Sequence, residues 1–342
     1  MSINFTLKDK YRDSDLQDFS NVVQELSDDI GFKVSARGWA YILEGKRLIN
    51  KNEFDKVATL INTCRKKGFL PIDFVAEEDA RSFKGVEKPN KESVVKFSKL
   101  YLNATKYAAE YYTPDWWTDE TYYIQMVVEK IDLVTLFQPV CEEYHIAIAN
   151  AKGWSSILQR AEYARRFKEA ENKGLNCVLL YCGDHDPDGL RISEFIRKNL
   201  EDVKNIVWSN GLQGYNPKNL IIERFGLNYD FIIDNNLTWI DNLITGSSKN
   251  LADPKHRNFK MPYVQQYLNE IGERKCEANS IVTMPSAARN LVRNIIEAYL
   301  GTDARERFEA KREKVRNEFN DFLDNSGLGD SIDRATKMID DY

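Results

Sequence analysis

The hydrophobic and polar pattern of this chain changes from helical to strand-like and back, and the change predicts an α/β fold. In the first third, apolar residues recur at helical spacing, which predicts helices over residues 14–30, 36–43 and 53–67. A short extended piece at 69–72 follows. Short helices with wing-like extended segments are typical of a winged-helix module, which is mostly α-helical.

The middle of the chain alternates apolar runs with amphipathic stretches. Strands that alternate with helices pair side by side in one direction, so this part predicts a parallel sheet. The predicted strands are residues 121–128, 145–149, 176–181 and 220–227, and the helices between them are 131–143, 155–172 and 190–200. Further helical patterns cover 285–300 and 302–322, whereas the tail after Asn325 is acidic and weakly patterned.

Composition and turn residues divide the predicted elements into four regions. We expect a winged-helix domain over 1–84, a linker and connecting helix over 85–118, a metal-binding parallel-sheet domain over 119–284 and a C-terminal helical extension over 285–342. The connecting helix is predicted from Lys91 to Ala109.

The distribution of charge and the spacing of the cysteines limit the kinds of function that this chain can have. The net charge of the chain is −5, but residues 31–90 contain 12 Lys and Arg and only 8 Asp and Glu. This region is therefore basic although the chain as a whole is acidic. Such a region can bind nucleic acid. The five cysteines have no C-x-x-C spacing, so we expect neither a zinc ribbon nor a disulfide framework. The sequence predicts no membrane span and no signal peptide, and therefore a cytoplasmic protein, associated with the nucleoid if the host is prokaryotic.

The strongest chemical signal is an acidic turn at the end of the third predicted strand. Asp184, Asp186 and Asp188 come soon after the apolar run 178–181, and Gly189 closes the turn. Carboxylates this dense repel one another unless protons or a cation neutralise them, and oxygen ligands suit Mg²⁺, Mn²⁺ or Ca²⁺. An EF-hand loop starting at Asp184 would need a Glu at its twelfth position, where this chain has Phe195.

Glu129 ends the first predicted strand and is a further candidate ligand. The carboxyl ends of parallel strands open on the same edge of a sheet, where open α/β folds place their sites. We therefore expect Glu129 to lie near Asp184. A Glu and an Asp-x-Asp pair can hold a divalent cation against a phosphate.

These segments resemble the Toprim domain of the topoisomerase VI A subunit and its meiotic double-strand-break relatives. Three segments carry the resemblance in family order, namely Val128-Glu129-Lys130, then Asn150-Ala151-Lys152-Gly153-Trp154-Ser155, then Asp184-His185-Asp186-Pro187-Asp188-Gly189. In that family the Glu and the Asp-x-Asp bind Mg²⁺. The resemblance therefore implies that Glu129, Asp184 and Asp186 are ligands, with Asp188 as an additional candidate and Mn²⁺ as a possible substitute for Mg²⁺.

A second resemblance lies upstream, in Ser35-Ala36-Arg37-Gly38-Trp39-Ala40-Tyr41. It is similar to the winged-helix motif of the same family, in which an Arg precedes the nucleophilic Tyr by four residues. Positions i and i+4 share a helix face, so Arg37 could hold a phosphate beside the Tyr41 phenol. Gly38 and Ala40 depart from the bulkier or acidic residues common there. The segments 65–71, 79–81 and 276–281 also resemble the family.

The resemblance implies an enzyme that breaks double-stranded DNA. Tyr41 would attack a backbone phosphate and form a phosphotyrosyl link, with a free 3′ hydroxyl. The Tyr of one subunit works with the metal site of the other in that family, which implies a homodimer. No G-x-x-x-x-G-K-[ST] motif is present, so a topoisomerase activity would need a separate ATPase B-type subunit. Two alternatives stay open, namely a Toprim endonuclease that hydrolyses DNA with metal-activated water, and a non-catalytic DNA-binding protein.

Overall fold

The predicted α/β class is confirmed by the computed structural model, which describes residues 7, 8, 10–76, 89–151, 156–244 and 250–342. A helical N-terminal region precedes a four-stranded, all-parallel sheet in the middle of the chain, and helices form the C-terminal part. The segment 79–81 and residues 152–155 of the Asn150–Ser155 motif lie outside the described residues.

The chain folds into two compact units, each made of two segments. Unit 1 comprises Met1–Glu77 and Thr121–Tyr299. Unit 2 comprises Glu78–Glu120 and Leu300–Tyr342, so it joins the connecting region to the C-terminal helices.

Unit 1 begins with three helices whose ends follow from local chemistry. Helix α1 is Asp13–Ile30, α2 is Ala36–Gly45 and α3 is Phe54–Lys67. Ser35 caps α2, because its side chain accepts a hydrogen bond from the Gly38 N–H. Gly68 ends α3 with a φ of 81°, a left-handed conformation that glycine adopts without strain. The three predicted helices are therefore confirmed to within a few residues.

The sheet of unit 1 has the order β2-β1-β3-β4, and every pair of neighbouring strands is parallel. Strands β1 and β3 are central and almost completely buried, as their largely apolar sequences require. The strands are β1 Tyr122–Val128, β2 Ala147–Asn150, β3 Asn176–Cys182 and β4 Ile221–Gly226. All four predicted strands are confirmed.

The helices that follow the connecting region and the strands are numbered in chain order. They are α4 Val94–Lys106, α5 Ala108–Tyr111, α6 Ile131–Glu143, α7 Ile157–Asn172, α8 Ile192–Glu201, α9 Tyr229–Asp234, α10 Pro262–Glu270, α11 Pro285–Leu300, α12 Ala304–Ser326 and α13 Leu328–Asp340. A 3₁₀ helix, Ala278–Thr283, packs against α2 and α6 in unit 1.

Three details differ from the sequence predictions. Residues 69–72 form turns rather than an extended segment, because Phe69 and Leu70 fold back to bond the Cys64 carbonyl after α3. The weakly patterned tail forms α13, whose Asp333 and Asp340 pair with lysines of α4. The sequence pattern does not predict α9 and α10, since both are too short to show a clear period.

All five cysteines are buried, and none of them forms a disulfide. Among the helices of the described ranges, none is both long enough and apolar enough to cross a bilayer.

Candidate functional site

Strand register brings two of the predicted ligands to the same edge of the sheet. Val128 is level with Cys182, so the next residues, Glu129 and Gly183, leave the sheet together. The Glu129 N–H bonds the Cys182 carbonyl at 2.9 Å, and the Asp184 N–H donates to Glu129 Oε2 at 2.7 Å. The expected proximity of Glu129 and Asp184 therefore follows directly from the parallel pairing of β1 and β3.

The acidic turn is held in a single conformation by hydrogen bonds. Asp186 Oδ1 accepts the Gly189 N–H at 2.7 Å, and Asp184 Oδ1 accepts the Ala278 N–H at 2.7 Å. Asp184 and Asp186 are both buried, at 8% and 6% exposure. Burial and the nearby charge of Glu129 raise the pKa of Asp184 to about 6. Burial also raises the pKa of Asp186 to about 6, with help from Asp184 and Asp188.

The Lys130 ammonium lies between two of the carboxylates. It donates to Glu129 Oε1 at 2.8 Å and to Asp184 Oδ2 at 3.0 Å. Burial alone would lower the pKa of Lys130, but the charges of Asp184 and Glu129 outweigh it and raise that pKa. Lys130 therefore supplies the positive charge that this pair of carboxylates requires.

Arg224 of β4 forms hydrogen bonds with the backbone of the acidic turn and holds it in place. Its guanidinium donates to the carbonyls of Gly183, Asp184 and Gly189 at 3.1, 2.9 and 3.2 Å. It also bonds the Leu227 carbonyl and Asn228 Oδ1, at 2.7 and 2.8 Å. Hydrogen bonds from one planar side chain to five acceptors fix the path of the turn. Burial lowers the pKa of Arg224.

Helix α2 carries the second predicted constellation. Tyr41 is buried at 9% exposure and its ring packs edge-on against Phe54, while Arg37 is exposed one turn earlier. Burial and the adjacent carboxylate of Glu277 raise the pKa of Tyr41 far above its usual value. The phenol is therefore fully protonated in this arrangement.

Glu277 connects the two constellations. The segment that carries it pairs with the acidic turn through two hydrogen bonds between His185 and Cys276, at 2.8 and 3.1 Å. Glu277 forms ion pairs with Lys51 and Lys275, the second at 3.3 Å. Burial opposes its ionisation, but the charge and hydrogen bond of Lys51 prevail and lower the pKa of Glu277 to about 2.

Apart from Arg224 and Phe54, the side chains described above line one cavity of about 810 Å³ within unit 1. Its acidic lining residues are Glu129, Asp184, Asp186, Asp188 and Glu277. Its basic lining residues are Arg37, Lys51, Lys130 and Lys275, and Tyr41 also lines it. The cavity thus brings together, in one chain, every residue that the sequence predicted for the site.

Asp188, the additional ligand candidate, and His185, which lies between Asp184 and Asp186 in the sequence, have other partners. Asp188 accepts a hydrogen bond from the Tyr263 hydroxyl at 3.2 Å, and Arg191 lies over the Tyr263 ring at 4.4 Å. His185 is buried, and its Nδ1 bonds the Leu227 carbonyl at 2.9 Å. It therefore points away from Asp184 and Asp186, into aromatic packing against Trp239 and Tyr267.

The carboxylates suit a hard divalent cation, although their present arrangement is not that of a metal centre. Among the described residues, no group of three or more His, Cys, Asp or Glu side chains is arranged to hold a metal ion. Lys130 and backbone N–H groups instead bind the oxygens of Glu129 and Asp184. A cation held by Glu129, Asp184 and Asp186 would displace the Lys130 ammonium from the pair.

Replacing Lys130 with methionine is expected to tighten Mn²⁺ binding by about tenfold, because it removes a cation that competes for Glu129 and Asp184. Isothermal titration of the wild-type and variant proteins with Mn²⁺ measures this. Lys33→Met serves as the control, since the exposed Lys33 pairs with the exposed Asp73. Unchanged or weaker binding in Lys130→Met would show that the cation binds elsewhere.

Gly38 is required by close packing of α2 against α6. A Cβ at this position would collide with Val34 and approach Asp132 Oδ2 to 2.6 Å. Asp132 cannot easily retreat, because it accepts hydrogen bonds from the Ser35 N–H and from Asn279. This contact explains why position 38 holds a glycine.

Gly38→Ala is accordingly expected to lower the free energy of unfolding by about 1–3 kcal/mol, through overpacking. Chemical denaturation of the intact chain measures it. Gly45→Ala in the same helix is the matched control, since its Cβ would lie 3.3 Å from a Thr283 methyl group that can shift. Equal losses in the two variants would contradict the packing argument.

Sequence reasoning did not assign roles to Lys51, Lys130, Lys275, Glu277 or Arg224. Lys130 and Glu277 lay within the segments that resemble the family, so a local signal existed for both. Lys51 and Glu277 are 226 residues apart in the chain, and no local pattern could have joined them. Arg224 sits in a strand whose sequence gives no indication of its five acceptors.

Comparisons with protein families, with curated proteins and with solved structures found no significant match for this chain.

Proposed function

We propose that this chain cleaves double-stranded DNA with Mg²⁺ or Mn²⁺ as cofactor, by transfer of a backbone phosphate to Tyr41. The activity is that of a topoisomerase VI A-like enzyme. The observation that supports the proposal is the shared cavity, which holds a phenol, five carboxylates and four cationic side chains. A phosphodiester needs this combination of a nucleophile, phosphate-binding cations and ligands for a divalent cation.

Each side chain has a distinct task in this mechanism. Arg37 and Lys51 bind the phosphate beside the Tyr41 ring, whose centroid lies 5.9 Å from the Lys51 ammonium. Glu129, Asp184 and Asp186 would hold the divalent cation, which neutralises charge on the reacting phosphate. The turn that carries the two aspartates stays in place through Arg224.

In the chemical step, the Tyr41 oxygen forms a bond to phosphorus and the bond from phosphorus to O3′ breaks. The departing O3′ takes up a proton from water in the open cavity and leaves as a 3′ hydroxyl. The phenol proton goes to Glu277, which faces Tyr41 and is ion-paired with Lys51 before DNA binds. Capture of a phosphate by Lys51 weakens that ion pair and raises the proton affinity of Glu277.

A hydrolytic mechanism is the second candidate, and the burial of Tyr41 favours it. At 9% exposure and with a strongly raised pKa, the phenol is a weak nucleophile until Glu277 accepts its proton. In the alternative, the carboxylates hold a cation that activates water, and Tyr41 only contacts DNA. Both mechanisms use Asp184, whereas only transesterification uses the Tyr41 oxygen.

Cleavage of supercoiled plasmid in Mn²⁺ or Mg²⁺, resolved with and without protease digestion, tests the proposal. We expect protein-linked DNA ends for the wild type, none for Tyr41→Phe and none for Asp184→Ala. Tyr11→Phe and the exposed Asp230→Ala are matched controls that should keep wild-type activity. Unlinked ends in both the wild type and Tyr41→Phe would establish hydrolysis. DNA binding without cleavage in either metal would leave a non-catalytic DNA-binding protein.

A further inference from the structure

An apolar line runs along the outer face of α4 and α5 in unit 2. Its six members recur at alternating spacings of three and four residues, which is the pattern of a helix that pairs with another helix. We call these residues the seam, and they are Val94, Phe97, Tyr101, Ala104, Ala108 and Tyr111. Val94, Tyr101 and Tyr111 are exposed at 79%, 62% and 74%.

The face of α4 opposite the seam provides its contacts within unit 2. Lys99 and Lys106 lie on that face and form ion pairs with Asp340 and Asp333 of α13, at 2.6 and 2.5 Å. Within α4 and α5, which are both fully described, no residue is buried. The same face also carries the half-buried Val95, Leu102 and Ala109, so α4 and α5 pack through a face that is both apolar and charged. The seam is a second apolar face, on the opposite side, which an ordinary surface helix lacks.

The residues that flank the seam carry no charge. They are Ser98, Leu100, Thr105 and Tyr107, and the lysines of α4 lie farther round the helix. In paired helices the flanking positions set partner choice through charge. Two identical copies can therefore pair along this face without placing like charges together. A partner helix with charged flanking residues would have no opposite charges to pair with on this face.

Side-chain size selects the direction of pairing. When two copies of the seam run antiparallel, Phe97 faces Ala108 of the second copy, and Tyr101 faces its Ala104. Val94 then faces Tyr111 at each end. Every layer thus joins a large side chain to a smaller one. A parallel pair would instead set Phe97 against Phe97 and Ala104 against Ala104, with crowding in one layer and a void in the other.

We propose that the seam binds the seam of a second copy of this chain in antiparallel orientation, which makes unit 2 a two-fold symmetric dimerisation element. A two-fold interface of this kind uses the same surface on both copies and closes on itself. The proposal rests on unit 2 alone and would stand if the chain did not cleave DNA.

The mass of the full-length protein in solution gives the first test. Sedimentation velocity over a range of concentrations should show a dimer for the wild type. Ala104→Glu should raise the dimer dissociation constant by about 100-fold or more, because each dimer would bury two carboxylates. Lys96→Glu, on the exposed polar side of the same helix, should leave the dimer intact. A monomeric wild type, or a dimer that Ala104→Glu leaves unchanged, overturns the proposal.

Disulfide trapping tests the orientation, because the native cysteines are all buried and an introduced one reports alone. We expect Phe97→Cys and Ala108→Cys chains to form a cross-linked dimer when mixed and oxidised, and neither variant to do so by itself. In the antiparallel pair, like positions lie about 16 Å apart along the axis, at 1.5 Å per residue. Cross-linking of either variant alone would show parallel pairing, and no cross-link in the mixture would exclude this interface.

Discussion

In the dimer proposed above, the pairing of one wild-type chain with one Tyr41→Phe/Asp184→Ala chain is expected to nick supercoiled plasmid. A dimer of a Tyr41→Phe chain with an Asp184→Ala chain is expected to be inactive. The reason is that Tyr41 and Asp184 of one chain line the same cavity. In the first dimer one cavity is complete, whereas in the second each cavity lacks one essential group.

The topoisomerase family that this sequence resembles predicts the opposite result, since its tyrosine acts at the metal site of the other subunit. If each site combines Tyr41 of one subunit with Asp184 of the other, the dimer of a Tyr41→Phe chain with an Asp184→Ala chain has one complete site and nicks DNA. The dimer of a wild-type chain with the double variant then has no complete site and does not nick DNA. Co-expression with two different tags and purification over both isolates each mixed dimer. Conversion of supercoiled plasmid to the nicked form is then measured. The wild-type dimer serves as the reference for both.

Arg224→Met is expected to lower the free energy of unfolding of unit 1 by about 3 kcal/mol and to abolish its response to Mn²⁺. Removal of the guanidinium leaves the Asp184 carbonyl without the hydrogen-bond donor that Arg224 provides. The Gly183 and Gly189 carbonyls each lose one hydrogen bond but still accept a backbone N–H, from Leu227 and Ile192. A buried acceptor left unsatisfied costs about 1–3 kcal/mol and each further lost hydrogen bond about 1 kcal/mol, and the turn can recover part of that by moving. Such movement displaces Asp184 and Asp186 from their positions in the cavity.

Arg197→Met is the matched control for Arg224. Arg197 also donates to backbone carbonyls, those of Pro217 and Leu220, at 2.6 and 2.7 Å, but it does not contact the acidic turn. Its replacement should therefore lower stability while the melting temperature still rises with Mn²⁺. Denaturant unfolding measures the first quantity, and thermal melts across a Mn²⁺ series measure the second. A normal Mn²⁺ response in Arg224→Met would show that the turn holds its shape without the arginine.

Much of the fold could be predicted because its signals are local. Strands β1 and β3 are largely apolar runs. Helices α2 and α3 have a clear helical period, and a serine caps α2 while a glycine ends α3. The terminal helix α13 could not be predicted in this way, because its partner, α4, lies more than 220 residues earlier in the chain. Short or weakly patterned helices depend on such contacts, which no window of the sequence contains.

The sequence by itself determined the parallel sheet and, through it, the meeting of Glu129 with Asp184, because parallel strands in register must deliver their next residues to the same edge. It also determined that Arg37 and Tyr41 share a helix. Only the tertiary structure decided what surrounds these groups: Lys130 between two carboxylates, Glu277 beside Tyr41 and Arg224 behind the acidic turn. Each of these arrangements joins segments distant in the chain. Their geometry is set by packing of the whole unit, which local propensity does not encode.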